Sequence, residues 1–68
     1  MPTGKVIAFD EHVGLGEVES GDGAVYLFHC VEIADGSRTI QVGAAVEFDL
    51  MRKLGRLEAA RLRPALRS

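Results

Sequence analysis

Apolar and polar residues alternate over several short stretches of this chain, which is the pattern typical of β-strands that bury one face. The stretches are Lys5–Phe9, Val13–Val18, Val25–His29 and Ala45–Leu50. Glycine and aspartate residues, which favour turns, lie between several of them. The pattern therefore predicts a domain built mainly from short strands.

The clearest turn lies between the second and third stretches, at Ser20–Gly23. Glycine adopts positive φ readily and aspartate bonds to nearby backbone, so we expect the chain to reverse here as a β-hairpin. Alternation then divides the side chains of the third strand between two faces, with Val25, Leu27 and His29 on one and Tyr26 and Phe28 on the other.

The second strand of this hairpin is glycine-rich. Leu15 and Glu17 share one of its faces, and Val18 lies on the other. Gly14 and Gly16 leave gaps where another backbone, a ligand or a bulge can come close. The face of the hairpin that looks inward therefore decides what the protein can bind.

The centre of the chain is less regular. Cys30–Ile33 is ambiguous and is compatible with one helical turn, Asp35–Ser37 is a turn, and Thr39–Ile40 is too short to assign. On the fourth strand, alternation places Val46, Phe48 and Leu50 on one side.

The last segment, Met51–Leu66, is open to two interpretations. Its leucines, alanines and arginines favour an amphipathic helix, which Gly55 and Pro64 would interrupt. The need of a small sheet to cover its edges favours a final strand at Leu57–Leu62 instead.

The composition indicates one small globular domain. A chain of 68 residues buries only about 60% of the surface that its unfolded form exposes. We expect residues 1–64 to form the domain and residues 65–68 a flexible tail. No apolar run approaches the roughly 20 residues of a membrane span, and the N-terminus lacks the apolar core of a secretory signal. The single cysteine excludes an internal disulfide and favours a cytoplasmic location.

The formal net charge of −2 is unevenly distributed. Residues 1–51 carry two basic and nine acidic residues, a net −7, whereas residues 52–68 carry six basic residues and one acidic residue, a net +5. Any attraction to nucleic acid must therefore come largely from the C-terminal segment. The same basic residues are equally compatible with a solvated set of charges that balances the acidic body.

The order of residues resembles the bacterial cold-shock proteins. The family's landmark motifs are G-x-V-K-W-F, K-G-[FY]-G-F-[IV], D-V-F-V-H, S-A-I…G…E-G-Q-x-V-E-F and Q-A-x-N-V. The matching stretches follow in the same order: Gly4–Phe9, Val13–Val18, Val25–His29, Ile33 with Gly36 and Gly43–Phe48, and Glu58–Leu62. The resemblance covers nearly the whole chain.

The resemblance implies an all-β fold, a small five-stranded antiparallel barrel of the oligonucleotide-binding (OB) type. It favours a strand over a helix for the last segment. The residues expected to point inward are Val6, Val18, Tyr26, Phe28, Ile33, Val46 and Phe48, with Phe9 at the margin of the core.

The resemblance also implies binding of single-stranded RNA or DNA, which family members achieve by stacking bases on outward aromatic side chains. The corresponding nucleic-acid-binding positions here are Lys5, Ala8, Leu15, Glu17, Leu27, His29, Cys30, Arg38 and Arg56. Most of the family's aromatics are replaced, and Ile7 and Val13 stand where the family has lysines. Losing four or five stacks of about 1 kcal/mol each predicts binding that is weak and strongly salt-dependent.

A second function is open on the same residues. The former base-binding face would present Ile7, Val13, Leu15 and Leu27 to water, and contiguous exposed aliphatic groups tend to mark interfaces. The alternative is therefore a module for self-association as a homodimer or for binding a protein partner.

Other chemistry finds little support. Cys30, His12 and His29 lack the spacing of a metal site, so neither a metal nor another cofactor is expected. Nothing supplies a cleft or a third group that would orient a Cys–His nucleophile pair, so we expect no enzyme activity. Gly14–Gly16 is not a dinucleotide fingerprint, because no helix follows it.

Overall fold

A computed structural model describes residues 2–34, 36 and 39–65 of the chain. Over these residues the strands are β1 (Thr3–Asp10), β2 (Leu15–Ser20), β3 (Val25–His29), β4 (Ala45–Lys53) and β5 (Arg56–Pro64). A single 3₁₀ turn, Cys30–Glu32, follows β3, where the sequence is compatible with a helical turn. The all-β prediction is confirmed, and the last segment is a strand rather than a helix.

The strands form a closed barrel in the order β1-β2-β3-β5-β4. Neighbouring strands are antiparallel, except that β3 and β5 run parallel and pair through Leu27 and Glu58. A further parallel bridge joins Ile33 to Leu62, beside a hydrogen bond from the Ala34 amide to the Leu62 carbonyl. The predicted antiparallel barrel is therefore correct apart from this parallel junction.

The core lies inside the barrel, where apolar side chains from all five strands meet. Its fully buried members include both large aromatic side chains of the interior, Phe28 and Phe48. Tyr26 is half-buried and packs against this cluster, with its ring centroid 6.1 Å from that of Phe48. The remaining inward predictions are also confirmed: Val6, Val18, Ile33 and Val46 are buried.

Gly16 lets an aromatic ring lie directly on the backbone of β2. A Cβ atom at Gly16 would lie 2.5 Å from Cζ of Phe28 and 2.9 Å from the carbonyl oxygen of Ala8. Phe9 stacks on the same ring at a centroid distance of 6.0 Å. The gap predicted at Gly16 is therefore filled by the protein's own core.

Strand β5 contributes more to the core than its sequence pattern predicts. Ala59, Ala60 and Leu62 are buried, although simple alternation cannot bury two consecutive residues on one face. The irregularity is a bulge: the pairing with β4 shifts between Glu47 and Asp49, and Arg61 adopts φ +52°.

The second strand begins two residues later than predicted. Val13 belongs to a turn, because the Asp10 carboxylate accepts hydrogen bonds from the amides of His12 and Val13 at 2.9 and 3.3 Å. Gly14 continues this turn with φ +76°, a backbone conformation that is unfavourable for residues other than glycine. The assignment of Val13 to a strand is therefore wrong.

Some predictions fall on residues outside the described part of the chain. Asp35 and Ser37 of the predicted turn, Arg38 of the predicted binding site, and Leu66–Ser68 of the predicted tail all lie outside it. The Ala65 amide, at the start of that tail, donates a hydrogen bond to the Ala45 carbonyl.

Candidate nucleic-acid interface

The sides of β1, β2 and β3 that point away from the core form one continuous surface, which we call the outer face. Three rows of directly paired residues cross it: Lys5, Glu19 and Val25; Ala8, Glu17 and Leu27; and Asp10, Leu15 and His29. A bulge in β1 adds Ile7, which is 39% exposed beside the middle row.

The middle of the outer face is concave. Ala8, Leu15, Glu17 and Leu27 line a shallow depression of about 290 Å³. Leu15, Glu17 and Leu27 are each half-buried by their neighbours, so the surface offers aliphatic groups without the broad ring faces on which bases stack.

The outer face carries more negative than positive charge. Among the nine paired residues of its three rows, all of them described, Glu17, Glu19 and Asp10 are acidic and Lys5 is the basic residue. Lys5 lies directly opposite Glu19, and Glu17 occupies the centre of the face. The face therefore repels phosphate at its centre and offers attraction only at one edge.

His29 is the one ring on the outer face, and an acidic residue from β5 lies next to it. The His29 side chain is 50% exposed, and its Nε2 lies 3.8 Å from Oε1 of Glu58, which is itself only 12% exposed. Oε1 of Glu58 also lies 3.9 Å from Nζ of Lys53, which contacts Glu32 at 3.6 Å. The sequence gives no signal for this contact, because it depends on the parallel pairing of β3 and β5.

The sequence predicts that Cys30 lies open on the outer face, but the structure shows its side chain partly enclosed. It is half-buried and packs against the core, and its Sγ would lie 3.0 Å from a Cβ atom at Gly14. The 3₁₀ turn that begins at Cys30 turns the chain away from β3, so alternation no longer sets the direction of this side chain. The predicted role of Cys30 in binding stays a prediction.

Arg61 and Arg63, two residues of the basic C-terminal segment, form ion pairs within the protein. Nε of Arg61 donates a hydrogen bond to the Asp49 carboxylate at 2.6 Å, and Nε of Arg63 lies 3.5 Å from Glu47. The hydrogen bond from Arg61, together with the positive charges of Arg61 and Arg63, holds the pKa of Asp49 below its ordinary value of 3.8. These arginines thus balance acidic residues of β4.

A sequence model of the family described as the 'Cold-shock' DNA-binding domain matches residues 2–65. The chain belongs to the cold-shock domain family. Cold-shock domains are, in general, nucleic-acid-binding and non-enzymatic domains. No curated protein sequence matches the chain.

The outer face brings together some of the residues at which the resemblance to the cold-shock family predicts base binding. Ala8, Leu15, Glu17 and Leu27 share the depression, and His29 lies in the adjoining row. Lys5 lies in the row on the other side of the depression, with Glu19 and Val25. Arg56 is exposed at the start of β5, and Arg38 lies outside the described residues. The roles of these residues in binding remain predictions.

Within the part of the chain that the structure describes, no group of His, Cys, Asp and Glu side chains is arranged to hold a metal ion. None of the described segments forms a helix long and apolar enough to cross a membrane.

Proposed function

We propose that this cold-shock domain binds single-stranded RNA or DNA weakly, in the cytoplasm, through the outer face together with the basic residues Lys5 and Arg56. The observation that carries the proposal is the cold-shock match over residues 2–65, combined with an open depression where that family binds bases. The lone cysteine agrees with a reducing compartment.

The weakness follows from the composition of the outer face. Each base stacked on an aromatic side chain contributes about 1–3 kcal/mol, and His29 is the single ring left on this surface. Glu17 at the centre adds repulsion towards phosphate. Lys5 and Arg56 supply attraction at the margins, so added salt weakens the binding.

A titration with a fluorescent, pyrimidine-rich single strand at low salt tests the proposal. We expect binding that weakens as salt rises, and further weakening in His29→Ala, which removes the ring. His12→Ala is the matched control, because His12 lies exposed in the β1–β2 turn. Absence of binding at low salt, or an equal effect of both variants, would contradict the proposal.

A second candidate function is recognition of protein by the same surface. It is favoured by aliphatic side chains that remain accessible around the outer face, with Ile7 39% and Val13 64% exposed. Exposed apolar groups next to charged ones are common at protein interfaces. Sedimentation of the chain over a wide concentration range tests for self-association, and a capture assay tests for another protein.

A further inference from the structure

The hairpin between β4 and β5 ends in an exposed leucine held in a costly conformation. Leu54 is fully exposed and adopts φ +50°, followed by Gly55 at φ +81°. Asparagine or aspartate is the usual residue at such a turn position, and a leucine there is strained without gaining any burial. Backbone strain of this kind is concentrated at functional sites.

Neighbours of Leu54 make the end of this hairpin both apolar and basic. Met51 is 43% exposed, and Arg56 is exposed and forms no ion pair among the described residues. We call Met51, Leu54 and Arg56 the hairpin tip.

The hairpin tip lies beside the outer face of the same molecule. Met51 pairs with Glu58, and Glu58 pairs with Leu27 and lies 3.8 Å from His29. Since alternation places Met51, Arg56 and Glu58 on one side of the hairpin, the tip continues the surface of the outer face.

These two neighbouring surfaces are complementary to each other. The outer face combines half-buried leucines with the carboxylates of Glu17 and Glu19, and the hairpin tip combines exposed aliphatic groups with a guanidinium. Opposite charges favour their encounter and fix its orientation, and the apolar groups supply area to bury.

We propose that the hairpin tip of one molecule docks on the outer face of a second copy, and the reverse, in a two-fold symmetric dimer. Because the two surfaces adjoin each other, a single two-fold axis places the tip of each molecule on the outer face of the other. The proposal rests on the second candidate function, recognition of protein, and names the partner. It also places dimerisation and nucleic-acid binding in competition for the outer face.

Leu54→Asn tests the role of the tip with opposite effects on folding and association. Asparagine tolerates positive φ, so we expect a higher thermal midpoint, and loss of the apolar contact weakens the dimer at least about tenfold. Val42→Asn is the control, because Val42 is exposed in a turn outside both surfaces. Sedimentation from micromolar to millimolar concentration measures the association, and unchanged association in Leu54→Asn overturns the proposal.

A charge exchange tests the reciprocal pairing. We expect Glu17→Arg and Arg56→Glu each to be monomeric alone, because each homodimer would bring like charges together. Their mixture should associate, since both contacts of the mixed dimer then join opposite charges. If the two variants associate alone as the unchanged chain does, or do not associate when mixed, the proposal is wrong.

The same variants distinguish this proposal from the candidate functions. An unchanged chain that stays monomeric at millimolar concentration overturns the dimer, whereas the nucleic-acid titration is read separately and stands or falls by itself. A capture assay that retains another protein on the outer face of a monomeric chain leaves the second function intact and overturns the choice of partner. An Arg56→Glu variant that loses oligonucleotide binding while sedimenting unchanged assigns the tip to nucleic acid and equally overturns the dimer.

Discussion

The inner and outer sides of the sheet formed by β1, β2 and β3 share the same strands. They differ in how much freedom their side chains have. On the inner side, Val6, Val18 and Phe28 have no exposed surface, and the Phe28 ring lies against the backbone at Gly16. On the outer side, Leu15, Glu17 and Leu27 are only half-buried. Packing therefore constrains one side closely and the other hardly at all.

The difference explains how a cold-shock barrel can tolerate substitutions on its outer side. A buried ring can be replaced only with compensating changes around it, because interiors are close-packed. A surface side chain can be exchanged at little cost to the fold. The inner side of these strands thus determines the fold, whereas the outer side is the one to which we assign binding, and family membership alone does not fix how tightly nucleic acid is bound.

The largest expected contrast is between two adjacent residues of β3. Phe28→Ala removes a fully buried ring, and we expect a loss of about 3–5 kcal/mol in the free energy of unfolding. Leu27→Ala, on the outer side, should cost less than about 1.5 kcal/mol. Chemical denaturation measures both, and equal losses in the two variants would contradict the division between the sides.

A smaller contrast is expected between two glycines. Gly16→Ala forces the Phe28 ring and the Ala8 carbonyl away from the new methyl group, which should cost about 1–3 kcal/mol. Gly21→Ala is the control, because a Cβ at Gly21 meets nothing within 4 Å and its φ is not positive. We expect Gly21→Ala to be neutral or slightly stabilising. Thermal unfolding that is insensitive to Gly16→Ala would show that the inner side is more tolerant than we infer.

Restoring rings to the outer side should change binding rather than folding. We expect the triple variant Leu15→Phe, Glu17→Phe and Leu27→Phe to bind a pyrimidine-rich strand at least about tenfold more tightly than the unchanged chain. Val42→Phe adds a ring outside the outer face and is the control. A triple variant that still ignores oligonucleotides would mean that missing aromatic stacks are not what limits affinity.

The smallest effect concerns charge pairing on the outside of β4. The pKa of Asp49 is lowered below 3.8, mainly by the hydrogen bond from Arg61, so its stabilising contribution is present above pH 3.8 and is lost as the pH falls further. Asp49→Asn should therefore flatten the loss of stability in acid slightly. Glu11→Gln, in the β1–β2 turn, controls for removing one carboxylate, and identical acid unfolding of both variants would exclude a role for the Asp49 pairing.

The sequence predicted the inner side better than the outer side. Alternation places Val6, Val18 and Phe28 correctly once the resemblance to cold-shock proteins has indicated which face of each strand points inward. It fails at β5, where a bulge buries Ala59 and Ala60 together, and at Val13, where the side chain of Asp10 holds a turn.

Side-chain contacts between neighbouring strands of the barrel were beyond the reach of the sequence pattern. Glu58 lies against His29 only because β3 and β5 pair in parallel, and Arg61 reaches Asp49 only across the β4–β5 pairing. Periodicity identifies which side a residue faces, but it does not identify the neighbour on the next strand. The charge balance of the candidate site therefore needed the structure.

The parallel junction between β3 and β5 is also where strand pairing closes the barrel most weakly. Within the described strands it consists of a single pair, Leu27 with Glu58, supplemented by the bridge from Ile33 to Leu62, whereas β4 and β5 share seven pairs. Local opening of the barrel should therefore begin between β3 and β5. The Ala34 amide donates a hydrogen bond across this junction, so it should exchange with deuterated solvent earlier than the amides of Val6 and Phe28.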